Sequence, residues 1–202
     1  MTFLEKRFIT LVLFVFLTFA ISGCLGAQKP PPDYYMLDPG PPGKFTGLEH
    51  GVAIGIGPFS VAPHLNRLQI VTRESDTRLK MSEAHQWAAP LKDTIWNILA
   101  INLAKELNTN RIYEVPSRQK RTLAFRVGID ILRLEGRLGG DVELLSRWII
   151  FSGDGKKELV SKISRLLEST RNDDYEAYVE AQSRALTSLS KEIATAIKTK
   201  MK

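Results

Sequence analysis

Three consecutive segments decide the fold: TLAFRVGIDILRL (residues 122–134), VELLSRWIIF (142–151) and ELVSKISRLL (158–167). Each is rich in aliphatic and β-branched residues, which favour strands. Gly139-Gly140 separates the first two segments, and Ser152-Gly153-Asp154-Gly155 separates the last two. Glycine-containing links of this length are typical of hairpin turns. The stretch therefore predicts three long strands in an antiparallel meander.

A long amphipathic helix is predicted after the meander. Asp173 and Glu176 resemble a capping box in acidic form, which would start the helix there. The residues that then fall on one helical stripe are Tyr175, Tyr178, Val179, Gln182, Leu186, Leu189, Ile193, Ala196 and Ile197. Such a stripe must pack on something apolar, and the sheet is the obvious partner.

Shorter elements are predicted before the meander. A second helix is expected from Pro90 to Leu107, because proline fits a first helical turn and Asn108 is a good stop. Short strands are expected at 34–37, 52–56 (closed by Gly57-Pro58), 68–72, 77–81 and 111–115. The predicted fold is α+β: a mixed, largely antiparallel sheet with two long helices packed on one face.

Composition narrows the class of protein. The chain has 202 residues, of which 44% are hydrophobic, so it can form one domain with a substantial core. Its single cysteine excludes an intramolecular disulfide and a cysteine-rich zinc site. The formal charge of +6 permits an anionic surface as partner and does not require nucleic acid.

The first residues are typical of a secretory signal. Lys6 and Arg7 precede an apolar run, Phe8–Ala20, which is shorter than the about 20 residues of a comfortable membrane span. The run ends in Ile21-Ser22-Gly23-Cys24, which resembles the lipobox of bacterial lipoproteins. The alternatives are a plain secretory cleavage site with a chance cysteine, or an uncleaved anchor.

The lipobox resemblance implies cleavage before Cys24, with diacylglycerol on its sulfur and an acyl chain on its new N-terminus. No other cofactor is expected. The body would then be anchored to a membrane without spanning it. Leu25, in place of aspartate, favours the inner leaflet of the outer membrane, facing the periplasm. The domain boundaries expected are a signal peptide at 1–23, a lipidated proline-rich tether at 24–33 and a single α+β domain at 34–202.

Motifs for catalysis or metal binding are incomplete in the sequence. His50, His64 and His85 could each serve as a base, but there is no Gly-x-Ser-x-Gly nucleophile motif. No His-x-x-x-His pair exists for a metal. The segment Gly55–Ser60 starts like a dinucleotide-binding loop but lacks its third glycine. We therefore predict no enzyme, with no catalytic, cofactor-binding or metal-binding residues.

A family resemblance adds a function. IGIGPF at 54–59, QIVTR at 69–73 and HQWAAPL at 85–91 follow in order, together with YYML at 34–37, the lipobox and the terminal helix. In combination they resemble the ABC-type transport auxiliary lipoproteins, which include the paraquat-inducible protein C type. The family-motif positions, and possible interface residues, are Gln69, Arg73, His85 and Trp87. Trp87 precedes a helix, a position more typical of core than of an interface.

The resemblance implies a non-enzymatic accessory subunit of an envelope transporter with mammalian-cell-entry (MCE) domains. Such systems move phospholipid or other hydrophobic molecules between inner and outer membranes and contribute to membrane integrity. The partners implied are an MCE-domain subunit and the outer-membrane inner leaflet, and a homo-oligomer would suit a ring-shaped partner. The alternatives are a periplasmic lipid-binding carrier, an outer-membrane assembly lipoprotein and, less favoured, an envelope hydrolase.

Overall fold

The structure is a computed structural model that describes residues 7, 30–41, 51–117, 119 and 121–201. The chain divides into two compact units, residues 1–31 and residues 32–202, and the described residues fall almost entirely in the second. The predicted signal peptide, apart from Arg7, lies outside the described residues, as do the lipobox residues Ile21, Ser22, Gly23 and Cys24, and His50.

The second unit has an α+β fold with strands in two sheets. Its elements are β1 (Asp33–Tyr35), β2 (Ile54–Val61), β3 (Gln69–Arg73), β4 (Leu79–Trp87), α1 (Leu91–Leu107), β5 (Ile112–Glu114), β6 (Phe125–Gly136), β7 (Asp141–Ser152), β8 (Glu158–Ser169) and α2 (Tyr175–Lys200). The larger sheet has the strand order β5-β2-β6-β7-β8, and the smaller has the order β1-β4-β3. The predicted fold class is confirmed.

The predicted meander forms the main part of the larger sheet. Strands β6, β7 and β8 pair antiparallel along almost their whole length. Side chains on one face, including Ile129, Leu144 and Trp148, are completely or almost completely buried. Strand β2 adds to β6 in parallel, and β5 adds to β2 in parallel, so the sheet is mixed.

Both helices pack against this buried face, side by side. In α1, Ile95, Leu99 and Leu103 are fully buried. The helix ends at Asn108, as predicted, and this residue is in a left-handed conformation. In α2 the predicted stripe faces the core, with Tyr178 and Leu189 fully buried. Within the described residues, neither helix is long and apolar enough to span a membrane.

The start of α2 differs from the prediction by one residue. The N-cap is Asp174, not Asp173, and its Oδ1 accepts a hydrogen bond from the Ala177 backbone N–H at 2.7 Å. Asp173 instead lies against the turn at Gly139, where an added Cβ would meet the Asp173 Cβ at 3.2 Å. The first aspartate therefore lies next to the turn between β6 and β7, and the second caps the helix.

Strands β2 and β4 extend several residues beyond their predicted ends. Strand β2 does not end at Gly57-Pro58 but continues to Val61, and its register against β6 shifts between Ile56 and Phe59. The shift lets the strand pass a proline, which has no N–H for the ladder. Strand β4 runs to Trp87, beyond the predicted end at Met81, because it pairs with β1 as well as with β3.

Candidate functional site

The four family-motif residues all lie in the smaller sheet. Gln69 and Arg73 are the first and last residues of β3, whereas His85 and Trp87 lie at the end of β4. Because Gln69 pairs with Gln86, it lies beside His85 and Trp87, while Arg73 is at the opposite end of the strand. The structure thus divides the four residues between two places.

The first place is where β1, the strand that follows the predicted tether, meets α2. A hydrogen bond of 2.9 Å joins the Tyr35 hydroxyl and His85 Nδ1. The His85 ring stacks on Tyr175, the first residue of α2, with centroids 3.8 Å apart and an interplanar angle of 17°. We call Tyr35, His85 and Tyr175 the β1 joint, because together they fasten the first strand to the body.

Burial and a nearby negative charge keep the tyrosine of the β1 joint protonated. Burial raises the pKa of Tyr35, and the nearby carboxylate of Asp33 raises it further. The phenol therefore keeps its proton and remains available as a hydrogen-bond donor to the imidazole. Asp33 Oδ2 lies 3.7 Å from His85 Nδ1, so a carboxylate is also close to the ring.

Trp87 belongs to the core rather than to an exposed surface. Its side chain is 3% exposed and lies in the main apolar cluster. Its backbone N–H donates to the Leu68 carbonyl at 2.7 Å, and the next N–H, of Ala88, donates to the Tyr35 carbonyl at 2.8 Å. Trp87 therefore stabilises the β1 joint by packing in the core beside it, and the backbone hydrogen bonds at Trp87 and Ala88 hold the strands together.

The second place is a buried ion pair that links the two sheets. Arg73 Nη2 on β3 donates to Glu135 Oε1 on β6 at 2.6 Å, and the Glu135 side chain is fully buried. The other carboxylate oxygen accepts from the Leu134 N–H at 3.0 Å and lies 3.5 Å from His64 Nε2. We call Arg73, His64 and Glu135 the Arg73 bridge.

A tyrosine on α2 adds a second link between the sheets. The Gly136 N–H on β6 donates to the Tyr178 hydroxyl, and that hydroxyl donates to the Val71 carbonyl on β3, both at 2.9 Å. Tyr178 is fully buried, and burial raises its pKa. One phenol therefore joins β3, β6 and α2.

Sequence reasoning nominated Arg73 and His85 but not their partners. Tyr175 and Tyr178 are predicted only as members of a helical stripe, and Glu135 lies one residue beyond the predicted strand at 122–134. Strict alternation along β6 would place Glu135 on the helix face with Ile129 and Ile131, and only the register shift between Ile131 and Arg133 moves it to the other face. Nothing in the sequence indicates that β3 covers that position.

The described residues do not assemble the other sites considered from the sequence. Among them, no serine hydroxyl bonds to a histidine ring, and no group of three or more potential metal ligands occurs. One cleft among the described residues, about 570 Å³, is open to solvent and has charged side chains in its wall, among them Lys105, Glu168 and Arg184. It differs in this from the enclosed, largely apolar pocket that an acyl-chain carrier needs.

Comparisons with known proteins agree with the fold. The structure resembles a crystal structure of an uncharacterized protein (TM-score 0.68, 19% identity, covering 83% of this chain and 99% of the other). It also resembles protein XCC0632 from Xanthomonas campestris, of family DUF330 (TM-score 0.66, 14% identity, covering 84% and 97%). No curated protein matches the chain.

One protein-family model matches most of the described residues of the second unit. The model for the ABC-type transport auxiliary lipoprotein component matches residues 35–194, from β1 almost to the end of α2. The matched region includes both sheets, the β1 joint and the Arg73 bridge. The chain therefore belongs to the family of ABC-type transport auxiliary lipoprotein components.

Proposed function

We propose that the chain is a lipid-anchored, non-enzymatic subunit of an MCE-domain transport system that moves phospholipid or related hydrophobic molecules between the two membranes. The observation that carries this proposal is the family match across residues 35–194. A transport auxiliary component contributes position or contact to a machine whose energy and conduction come from other chains.

The anchor proposed for this subunit is Cys24. The sequence Ile21-Ser22-Gly23-Cys24 would direct cleavage and acylation, and Leu25 would direct the product to the outer membrane, facing the periplasm. Two or more acyl chains suffice for stable anchoring. Intact-mass analysis of the native protein should show the acyl chains and no leader, and an unmodified thiol on an unprocessed chain would contradict the anchor.

The β1 joint supports a positioning role. The tether leads directly into β1, whose pairing with β4 and contact with Tyr175 attach it to the body. A short strand attached in this way fixes the point at which the tether joins the body. The core of the body is filled by large side chains such as Trp148 and Tyr178, which favours a docking subunit over a carrier.

Crosslinking in cells tests the partnership. The tagged protein at native expression should recover an MCE-domain protein, and an unrelated outer-membrane lipoprotein at the same level should not. The Cys24→Ser variant, which cannot be acylated, should lose most of this recovery because it is no longer held at the membrane. Recovery of no envelope transporter by the acylated protein would count against the proposal.

A further inference from the structure

The larger sheet has one face that no helix covers within the described residues. Because cross-strand partners share a face, Leu145 of β7 lies beside Arg165 of β8, and Arg147 lies beside Ile163. Arg133 of β6 pairs with Leu145 from the other side. We call this surface of β6, β7 and β8, opposite the two helices, the outer face.

The outer face is more apolar than the solvated side of an antiparallel sheet usually is. Ile163 is 59% exposed and Leu167 is 53% exposed, and the partly buried Leu145 and Ile149 lie on the neighbouring strand. Exposed aliphatic residues on a part of the sheet that no helix covers indicate a binding surface.

The exposed charges at the centre of this face are arginines. Arg133, Arg147 and Arg165 are all exposed and alternate with the aliphatic residues. The acids nearby are already engaged: Asp130 accepts a hydrogen bond from Ser60 at 2.6 Å, and Glu143 pairs with Arg165 at 3.1 Å and with Arg133 at 3.6 Å.

Arg147 forms no ion pair with another described residue, unlike Arg133 and Arg165. Its neighbours across the strands are Asp130 on β6, whose carboxylate accepts the hydrogen bond from Ser60, and the exposed Ile163 on β8. On the β8 side, a positive charge and an aliphatic side chain therefore stand next to each other. An arginine beside exposed aliphatics is the composition of surfaces that rest at a lipid interface, where the head reaches phosphate and the apolar part enters the acyl boundary.

The tether enters the body near one end of the outer face. Strand β8 ends at Ser169, two residues after Leu167, and α2 begins at Tyr175, whose ring stacks on His85. His85 pairs with Asp33, the first residue of β1. A proline-rich tether from Cys24 to this point reaches at most roughly 30 Å, which keeps the face at a high effective concentration near the lipid.

We propose that the outer face binds the surface of the bilayer that carries the anchor, with Arg147 and its neighbours contacting anionic phospholipid headgroups and Ile163 and Leu167 entering the interface. This inference rests on the proposed lipid anchor. The anchor keeps the body near the membrane, and the outer face determines which side of the body meets it.

A fluorescent probe at the centre of the face tests the contact. The full-length acylated protein with Ile163→Cys has one reactive thiol, because Cys24 is the only native cysteine and its sulfur would carry lipid. The labelled protein is reconstituted in phosphatidylcholine vesicles with brominated acyl chains, with or without phosphatidylglycerol. We expect quenching that increases with phosphatidylglycerol and decreases with added salt.

Two control variants separate contact from mere proximity. Lys191→Cys places the probe on the exposed side of α2, on the helix layer, and should remain unquenched. In the Ile163→Cys background, Arg147→Glu should shift the docking equilibrium by about 30-fold, because it replaces an attraction by a repulsion. Lys191→Glu makes the same change of charge away from the outer face and should leave the quenching unchanged.

The outcomes distinguish this inference from the anchor itself. Acylated protein whose probe at position 163 stays unquenched in anionic vesicles overturns the membrane contact and leaves the outer face to a protein partner. Equal quenching at 163 and 191 overturns it too, because the body would then have no preferred side. A protein without acyl chains overturns the anchor, and with it the inference that depends on the tether.

Discussion

The two sheets are held in different ways. The larger sheet and its helices share an extensive apolar core, in which residues such as Ile129, Leu144 and Leu189 are buried. The smaller sheet has a three-residue and a five-residue strand beside β4, and it contributes fewer residues, among them Ile70, Val71 and Trp87, to the same core. Single polar contacts between the sheets therefore carry a larger share of its attachment than any single contact does in the larger sheet.

This difference separates the part that gives the body its rigidity from the part that connects it to its tether. Apolar burial is not directional, so losing one contact in the larger sheet leaves the others in place. A buried ion pair or phenol is directional, and removing one partner leaves the other unsatisfied. Substitutions in the smaller sheet should therefore act locally and strongly.

The largest effect is expected from Arg73→Ala. The substitution leaves the fully buried carboxylate of Glu135 without its main partner, which should lower the free energy of unfolding by about 3–5 kcal/mol. Urea unfolding measures the loss. Arg78→Ala is the matched control, because the Arg78 side chain is 73% exposed and pairs with Glu74 at the surface. The control should cost less than about 1 kcal/mol, and equal losses would remove the distinction between buried and exposed pairs.

Tyr178→Phe tests the other link between the sheets. Loss of the hydroxyl leaves the Gly136 N–H and the Val71 carbonyl without this partner in the interior, at a cost of about 1–3 kcal/mol. Hydrogen exchange should show β3 and β4 losing protection before β6 and β7 do. The control is Tyr34→Phe, since Tyr34 is 65% exposed. Uniform loss of protection across both sheets would show that they unfold as one unit.

The same difference explains what the sequence could predict. The meander and both helices follow from local patterns: alternation in β6, β7 and β8, and helical spacing in α1 and α2. The contacts of the smaller sheet join residues far apart in the chain, such as Arg73 with Glu135 and Val71 with Tyr178. No local pattern predicts such a pair. The family resemblance pointed to Arg73 and His85, but it could not identify the residues that they contact.

The helix cap shows a smaller failure of the same kind. Asp173 and Asp174 are the same residue type at adjacent positions, so residue preference alone cannot choose between them. In the structure Asp174 is the residue whose side chain caps the helix, while Asp173 lies next to the turn at Gly139, in a different part of the chain. Such a neighbour is not visible to a local sequence pattern.

Asp174→Ala should lower the free energy of unfolding by about 1 kcal/mol, because the Ala177 N–H loses its acceptor. The first turn of α2 carries Tyr175 and Tyr178, so the loss should appear in thermal unfolding and in earlier exchange at β3. Asp173→Ala keeps the cap and is expected to change stability by less than about 0.5 kcal/mol. A larger loss of stability from Asp173→Ala than from Asp174→Ala would indicate that Asp173 caps α2, as the sequence predicts.

The smallest effect concerns an arginine–glutamate pair on the outer face. The hydrogen bond from Arg165 lowers the pKa of Glu143, although the side chains of the two arginines beside it are 47% and 63% exposed. A carboxyl with a lowered folded-state pKa stabilises the fold above its unfolded value, about 4.3, and this stabilisation is lost as the pH falls through the folded-state pKa. Glu143→Gln should therefore cost only about 0.5 kcal/mol at pH 7, in the range of surface pairs.

The pH dependence tests this assignment, because the difference between wild type and Glu143→Gln should shrink as the pH falls below about 4. Urea unfolding at a series of pH values gives both stabilities. A difference that grows on acidification would contradict the sign of the pKa shift. A loss at pH 7 as large as that of Arg73→Ala would show that the outer face depends on charge pairing as strongly as the smaller sheet does. An arginine–glutamate pair would then stabilise the fold equally in both regions, and the proposed difference between them would be wrong.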